Sequence, residues 1–134
     1  MKTQTVLIVD DDATIRAMYS DFLKKSGFDV LTAESGEAGL AVLAGGEKKV
    51  DLVVTDIMMA RMDGWQMLDF IREDMELDEV DLPVIVMSAV ESIDLDMEFM
   101  RHRANDWVTK PVKPMEVLSR KIMVLLGLGA AEDD

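Results

Sequence analysis

The chain has 134 residues, 49% of them hydrophobic, which supports one domain with its own core and argues against disorder. A net charge of −13 and an isoelectric point near 4.3 argue against a surface that binds a phosphate backbone, so no direct nucleic-acid contact is expected. The absence of cysteine removes disulfides and thiolate metal sites.

The opening residues lack the basic and apolar regions of a secretory leader, and no apolar run approaches the roughly 20 residues of a membrane span. A cytoplasmic protein without a membrane partner is the expectation. The first strand is predicted at Val6–Val9, an unbroken apolar run of the kind buried on both sheet faces. It runs straight into Asp10, Asp11 and Asp12. Ile15, Met18, Phe22 and Leu23 then repeat at helical spacing, with Gly27 as a stop.

Asp29–Ala33 is a weaker second strand. Ser35 is placed to cap a helix carrying Leu40 and Leu43, closed by Gly45 and Gly46. Leu52–Thr55 is a third strand that ends at Asp56. Met67, Leu68, Ile71 and Met75 share a face of the third helix, and the acidic stretch from Arg72 to Asp81 reads as a solvated helix end and loop.

Val84–Met87 forms the fourth strand and meets Ser88. Ile93, Met97 and Met100 mark the fourth helix, and Asp106–Thr109 forms a fifth strand that meets Lys110. Leu118, Ile122 and Leu125 mark the fifth helix, with Pro114 near its first turn. A domain over residues 1–127 and a flexible acidic tail over 128–134 follow from this pattern.

Five strands alternating with five helices predict an α/β doubly wound sandwich with a parallel sheet, and right-handed crossovers favour the flavodoxin-like order 2-1-3-4-5. Such sheets carry their sites at the carboxyl ends of the strands. That rule brings Asp10, Asp11, Asp56, Ser88 and Lys110 to one rim. Gathered carboxylates repel, and a hard cation removes the repulsion. Mg²⁺ is the expected cofactor, and Mn²⁺ accepts the same oxygen ligands. A carboxylate there can act as a nucleophile and form an acyl phosphate, while a hydroxyl and an ammonium bind phosphoryl oxygens. Asp12, by contrast, is read as a helix N-cap.

The segments LIVDDDATIR, VVTDIMMARMDGW, VIVMSA and ANDWVTKP together resemble the receiver domain of two-component response regulators, over about Val6 to Leu126. The resemblance implies that Asp56 is the phosphoacceptor and that Asp11 binds the metal directly. It implies that Asp10 does so through water and that the backbone carbonyl of Met58 completes the protein's share. Ser88 and Trp107 correspond to the switch pair, Lys110 to the phosphoryl-binding lysine, and the Lys110–Pro111 bond is expected to be cis. The implied partners are a sensor histidine kinase or phosphotransfer protein. A downstream effector would read the face of the fourth helix, fifth strand and fifth helix.

Three positions depart from the family pattern: Ala60 stands where proline is usual, Arg103 where glycine is frequent, and Trp107 where tyrosine or phenylalanine is commoner. The family tunes water attack on the acyl phosphate through the positions of Met58 and Val90. Both are apolar here and cannot orient a water, which implies slow self-dephosphorylation.

Two other readings fit parts of the sequence. The VLIVDDDAT opening also matches a haloacid-dehalogenase-like phosphatase, with Asp10 as nucleophile and Asp12 as acid/base. That reading lacks a later acidic strand end and leaves Asp56 unexplained. A receiver-like docking module that takes no phosphate is the other. His102, between two arginines, reads as a solvated residue at a helix end. Met18, Met67, Met75 and Met97 read as core, and Trp65 as partly buried. The fifth helix is apolar on most sides, which fits a homodimer face, an effector surface or the missing neighbour of a longer chain.

Overall fold

The computed structural model describes residues 3–89 and 93–128, with residues 93–95 described by backbone alone. Five parallel strands form one sheet in the order β2-β1-β3-β4-β5: β1 (Thr5–Val9), β2 (Asp29–Ala33), β3 (Leu52–Asp56), β4 (Val84–Ser88) and β5 (Asp106–Thr109). The helices between and after them are α1 (Ala13–Lys25), α2 (Gly36–Gly45), α3 (Gly64–Asp69), α4 (Ile93–Arg101) and α5 (Glu116–Leu125). The expected fold and strand order are both present.

Strand alternation divides the core in two. Val6, Ile8, Val54, Ile85 and Met87 point to one side, where they meet Tyr19 and Leu23 of α1 and Leu118 and Ile122 of α5. Leu7, Val9, Val53, Val84 and Val86 point to the other, against Met67 and Leu68 of α3 and Ile71 beyond it. Full burial of each such side chain contributes about 1.5–3 kcal/mol. The central strands β1 and β3 are buried throughout, whereas the edge strands β2 and β5 are only partly so. That difference explains why their sequence runs were weaker.

Local signals set the helix ends. Asp12 caps α1 by accepting from the Thr14 and Ile15 N–H groups at 2.9 and 3.1 Å. Ser35 caps α2 by accepting from Ala38 N–H, and Gly46 ends it at φ +67°. Asp63 and Gln66 form a reciprocal capping box at α3.

Several expectations about packing need correction. Met18 and Met97 face solvent, as does Met100, while Met67 is buried and Met75 half-buried. In α1 the inward row is Ile15, Tyr19 and Leu23, spaced by four, so Tyr19 takes the core place expected of Met18. Among the described side chains of α4, Phe99 packs inward. The Ile93 side chain, Val90 and residues 129–134 lie outside the described residues.

The stretch after α3 is not simply a solvated end. A π-helical turn spans Phe70–Asp74, and Arg72 within it is 5% exposed. Its guanidinium donates to the carbonyls of Leu77, Asp78, Leu82 and Arg103 and to Asn105 Oδ1, at 2.8–3.1 Å. These groups precede β4 and β5, so one side chain fastens the amino ends of both strands to α3. The surrounding acids masked this residue in the sequence.

His102 is also not solvated. Its side chain is 12% exposed, its ring stacks on Trp65 at a centroid distance of 5.0 Å, and it bridges Asp69 and Glu98. Trp65 itself is half-buried, as expected. Arg103 adopts φ +62°, the left-handed conformation for which glycine is suited, and pairs with Glu79 at 2.8 Å. On α5, Val124 is exposed beside the buried Leu118 and Ile122. Among the described residues no helix is long and apolar enough to cross a membrane.

Candidate functional site

The carboxyl ends of β1, β3, β4 and β5 converge. Parallel register sets Asp56 opposite Met87, and Ser88 opposite Thr109, with Lys110 one residue further on. Asp10 follows β1 and is fully buried. Lys110 Nζ donates to Asp10 Oδ2 at 3.0 Å and to Asp56 Oδ2 at 3.1 Å, closing a link between residues far apart in the chain. Asp10, Asp11 and Asp56 each offer an oxygen, all within 4.8 Å of one another. Asp11 is exposed, while Asp10 and Asp56 are buried.

The backbone holds this cluster in place. Asp12 N–H donates to Asp10 Oδ1 at 2.9 Å, and Met58 N–H reaches Asp56 Oδ1 at 3.4 Å. Lys110 N–H donates to the Ser88 carbonyl at 2.8 Å, tying the last residue of β4 to the lysine. A Cβ on Gly64 would lie 2.4 Å from the Asp56 carbonyl oxygen, so only glycine lets the loop after Asp56 fold back against it. The Lys110–Pro111 bond is cis, as the resemblance implied, and so is Lys113–Pro114.

The electrostatics are those of crowded carboxylates with one cation. Burial pushes the Asp56 carboxyl up and the neighbouring Asp10 adds to this, against the pull of its hydrogen bond to Lys110. Burial disfavours the Lys110 ammonium, yet its bonds to Asp10 and Asp56 outweigh that and hold its affinity for the proton above the usual value. Three carboxylates against one ammonium leave negative charge for a cation, and the donors are all hard oxygens. The set therefore fits Mg²⁺ or a similar ion.

Most of the expected residues meet here. Asp10, Asp11, Asp56 and Lys110 form one constellation, and Ser88 joins them at the end of β4. Met58 lies two residues past Asp56 with its side chain exposed. Trp107, half-buried on β5, is paired with Val86 and packs on the core face shared with α3. Asp12 is occupied as the cap of α1, which takes it from the acid/base role of a phosphatase, and Asp10 has no exposed surface where Asp56 keeps 6%.

Three features escaped the sequence reading. Arg16 Nη1 donates to the Asp10 carbonyl at 2.6 Å. Its place one turn into α1 was the available signal, because that turn lies over the end of β1. Gly64, which lets the loop fold back on Asp56, was given no role. Arg61 takes φ +67° in the loop after Asp56, where Met62 N–H donates to the Ala60 carbonyl at 2.9 Å.

Comparison with known proteins gives one answer. The family model for the response regulator receiver domain matches residues 6–121. The phosphate regulon transcriptional regulatory protein PhoB of Pseudomonas aeruginosa is 33% identical over 134 residues, 100% of this chain and 57% of that protein. Two-component response regulator ORR5 of Oryza sativa subsp. japonica is 35% identical over 112 residues, 84% of this chain and 81% of that one. Among solved structures, the chemotaxis protein CheY4 of Vibrio cholerae superposes with a TM-score of 0.83 at 26% identity, covering 92% of this chain and 99% of that one. The chain spans about half the length of the first curated relatives it matches.

Proposed function

Because the chain belongs to the response regulator receiver domain family of two-component systems, we propose that it works as a phosphorylation-dependent switch with Asp56 as the acceptor. The observation that carries this reading is the meeting of Asp10, Asp11, Asp56 and Lys110 from three strand ends. The donor is a phosphohistidine on a sensor kinase or phosphotransfer protein. An Asp56 carboxylate oxygen bonds to phosphorus as the donor's P–N bond breaks, and the departing imidazole nitrogen keeps the electron pair and takes up a proton.

Lys110 presents its positive charge to the incoming phosphoryl oxygens, and Ser88 offers a hydroxyl to them. Asp11 and Asp56, the Met58 carbonyl and, through water, Asp10 would hold Mg²⁺, which when bound neutralises charge on the transferring group. Once phosphorylated, Asp56 carries added negative charge and strong acceptors at the rim. Ser88 turns toward them, and Trp107, two residues along β5 from Thr109, moves into the space released. The face of α4, β5 and α5 then differs between the two states, and a partner that binds one better reads the signal.

Intact-mass measurement after treatment with a small phosphodonor and Mg²⁺ tests the proposal. A phosphoryl mass gained by the wild type and lost in Asp56→Asn supports it. An unchanged wild-type mass would leave a docking module instead.

A further inference from the structure

Resting on the reading of Asp56 as acceptor, we propose that Arg61 is a specificity-determining residue that captures the anionic phosphoryl donor at the mouth of the site. A cavity of about 340 Å³ opens beside the carboxylate cluster, lined by Asp11, Glu34, Ser35, Met59, Ala60 and Arg61. Arg61 reaches it from the three-residue turn closed between Ala60 and Met62. Its φ of +67° is uncommon for a residue with a bulky side chain, and such conformations cluster where a ligand is held. The Met62 side chain lies against Gly36, the first residue of α2, where a Cβ would come 2.9 Å from Sδ.

The guanidinium is barely committed elsewhere. Its Nε lies 3.7 Å from Glu37 Oε2, and the side chain is 82% exposed. Lys110 is bound to Asp10 and Asp56, and Arg16 to the Asp10 carbonyl. The rim otherwise carries Asp10, Asp11, Glu34, Glu37 and Asp56, so an anionic donor approaches through a negative field. A loosely held cation on the wall next to Asp11 offsets that field before the donor reaches Asp56. The planar fork of N–H groups matches phosphoryl oxygens in geometry as well as charge.

The test is the initial rate of phosphorylation by phosphoramidate with Mg²⁺, followed by intact mass across donor concentrations. The proteins are the full chain as wild type, Arg61→Lys, Arg61→Ala and Arg61→Glu, with Asp56→Asn as control. The half-saturating donor concentration is expected to rise about threefold in Arg61→Ala and about tenfold in Arg61→Glu, with the plateau rate held. Arg61→Lys, which keeps the charge without the fork, falls between wild type and Arg61→Ala, and added salt narrows every gap. Equal half-saturation in wild type and Arg61→Glu overturns the proposal, as does a lowered plateau at unchanged half-saturation. A wild type that gains no mass defeats the function itself along with this inference. A wild type that gains the mass lost in Asp56→Asn makes Arg61 alone the subject of the result.

Discussion

His102 and Asp69, 33 positions apart in the chain, meet at 2.5 Å and join the end of α4 to the end of α3. The other ring nitrogen faces Glu98 at 2.9 Å. Both nitrogens must donate to satisfy two carboxylates, which only the imidazolium can do. Burial disfavours that charge, but the bonds to Asp69 and Glu98 outweigh it and raise the proton affinity of His102. A raised folded-state value contributes stability that is fully present below the unfolded value, about 6.5, and lost as pH climbs through the folded one. Urea unfolding between about pH 6 and pH 9 should show falling stability in the wild type and a flatter profile in His102→Gln. Parallel profiles would contradict this.

Arg72 satisfies four backbone carbonyls and an asparagine oxygen from a buried position. Each buried acceptor left without a partner costs about 1–3 kcal/mol, less where water enters. Arg72→Ala should therefore lose about 3 kcal/mol of unfolding free energy, and Arg72→Lys, a point charge without the fork, should recover only part. Chemical denaturation of the three proteins measures it, and a loss under about 0.5 kcal/mol, typical of a surface change, would refute the role.

The three carboxylates at the rim predict a metal-dependent gain in stability. Mg²⁺ that binds only the folded chain adds about 2.7 kcal/mol at a hundred times its dissociation constant. Thermal unfolding of the wild type should shift upward with Mg²⁺, and Asp11→Ala should lose most of that shift. An equal shift in both proteins would place the ion elsewhere.

Met58 stands two residues past the acceptor with an exposed apolar side chain. It offers no hydrogen bond to a water attacking the acyl phosphate. Replacing it by asparagine should speed phosphoryl loss severalfold, about 1 kcal/mol in barrier. The decay of phosphorylated mass after removal of the donor reports this directly, and faster decay in the wild type would reverse the conclusion.

The strands and the rim were legible because their signals are local and repeated. Unbroken apolar runs at Val6, Leu52 and Val84 announce buried parallel strands, and the polar residue that ends each one must then lie on the same edge. Side-chain direction within helices was harder to read. Met18 and Tyr19 are neighbours in sequence, and only packing against β1 decides which is buried. Arg72 was misread because its partners are mostly backbone carbonyls, which composition does not mark, and His102 because Asp69 lies 33 residues away, although Glu98 one helical turn earlier was a signal. Arg61 was missed for a related reason: a positive φ at a non-glycine residue leaves no trace in composition.

The grip of Arg72 falls at the amino ends of β4 and β5, opposite the edge that carries Ser88 and Lys110. One buried guanidinium thus sets the spacing of β4 and β5 at the end of the sheet away from the rim, and leaves the rim residues free of that duty.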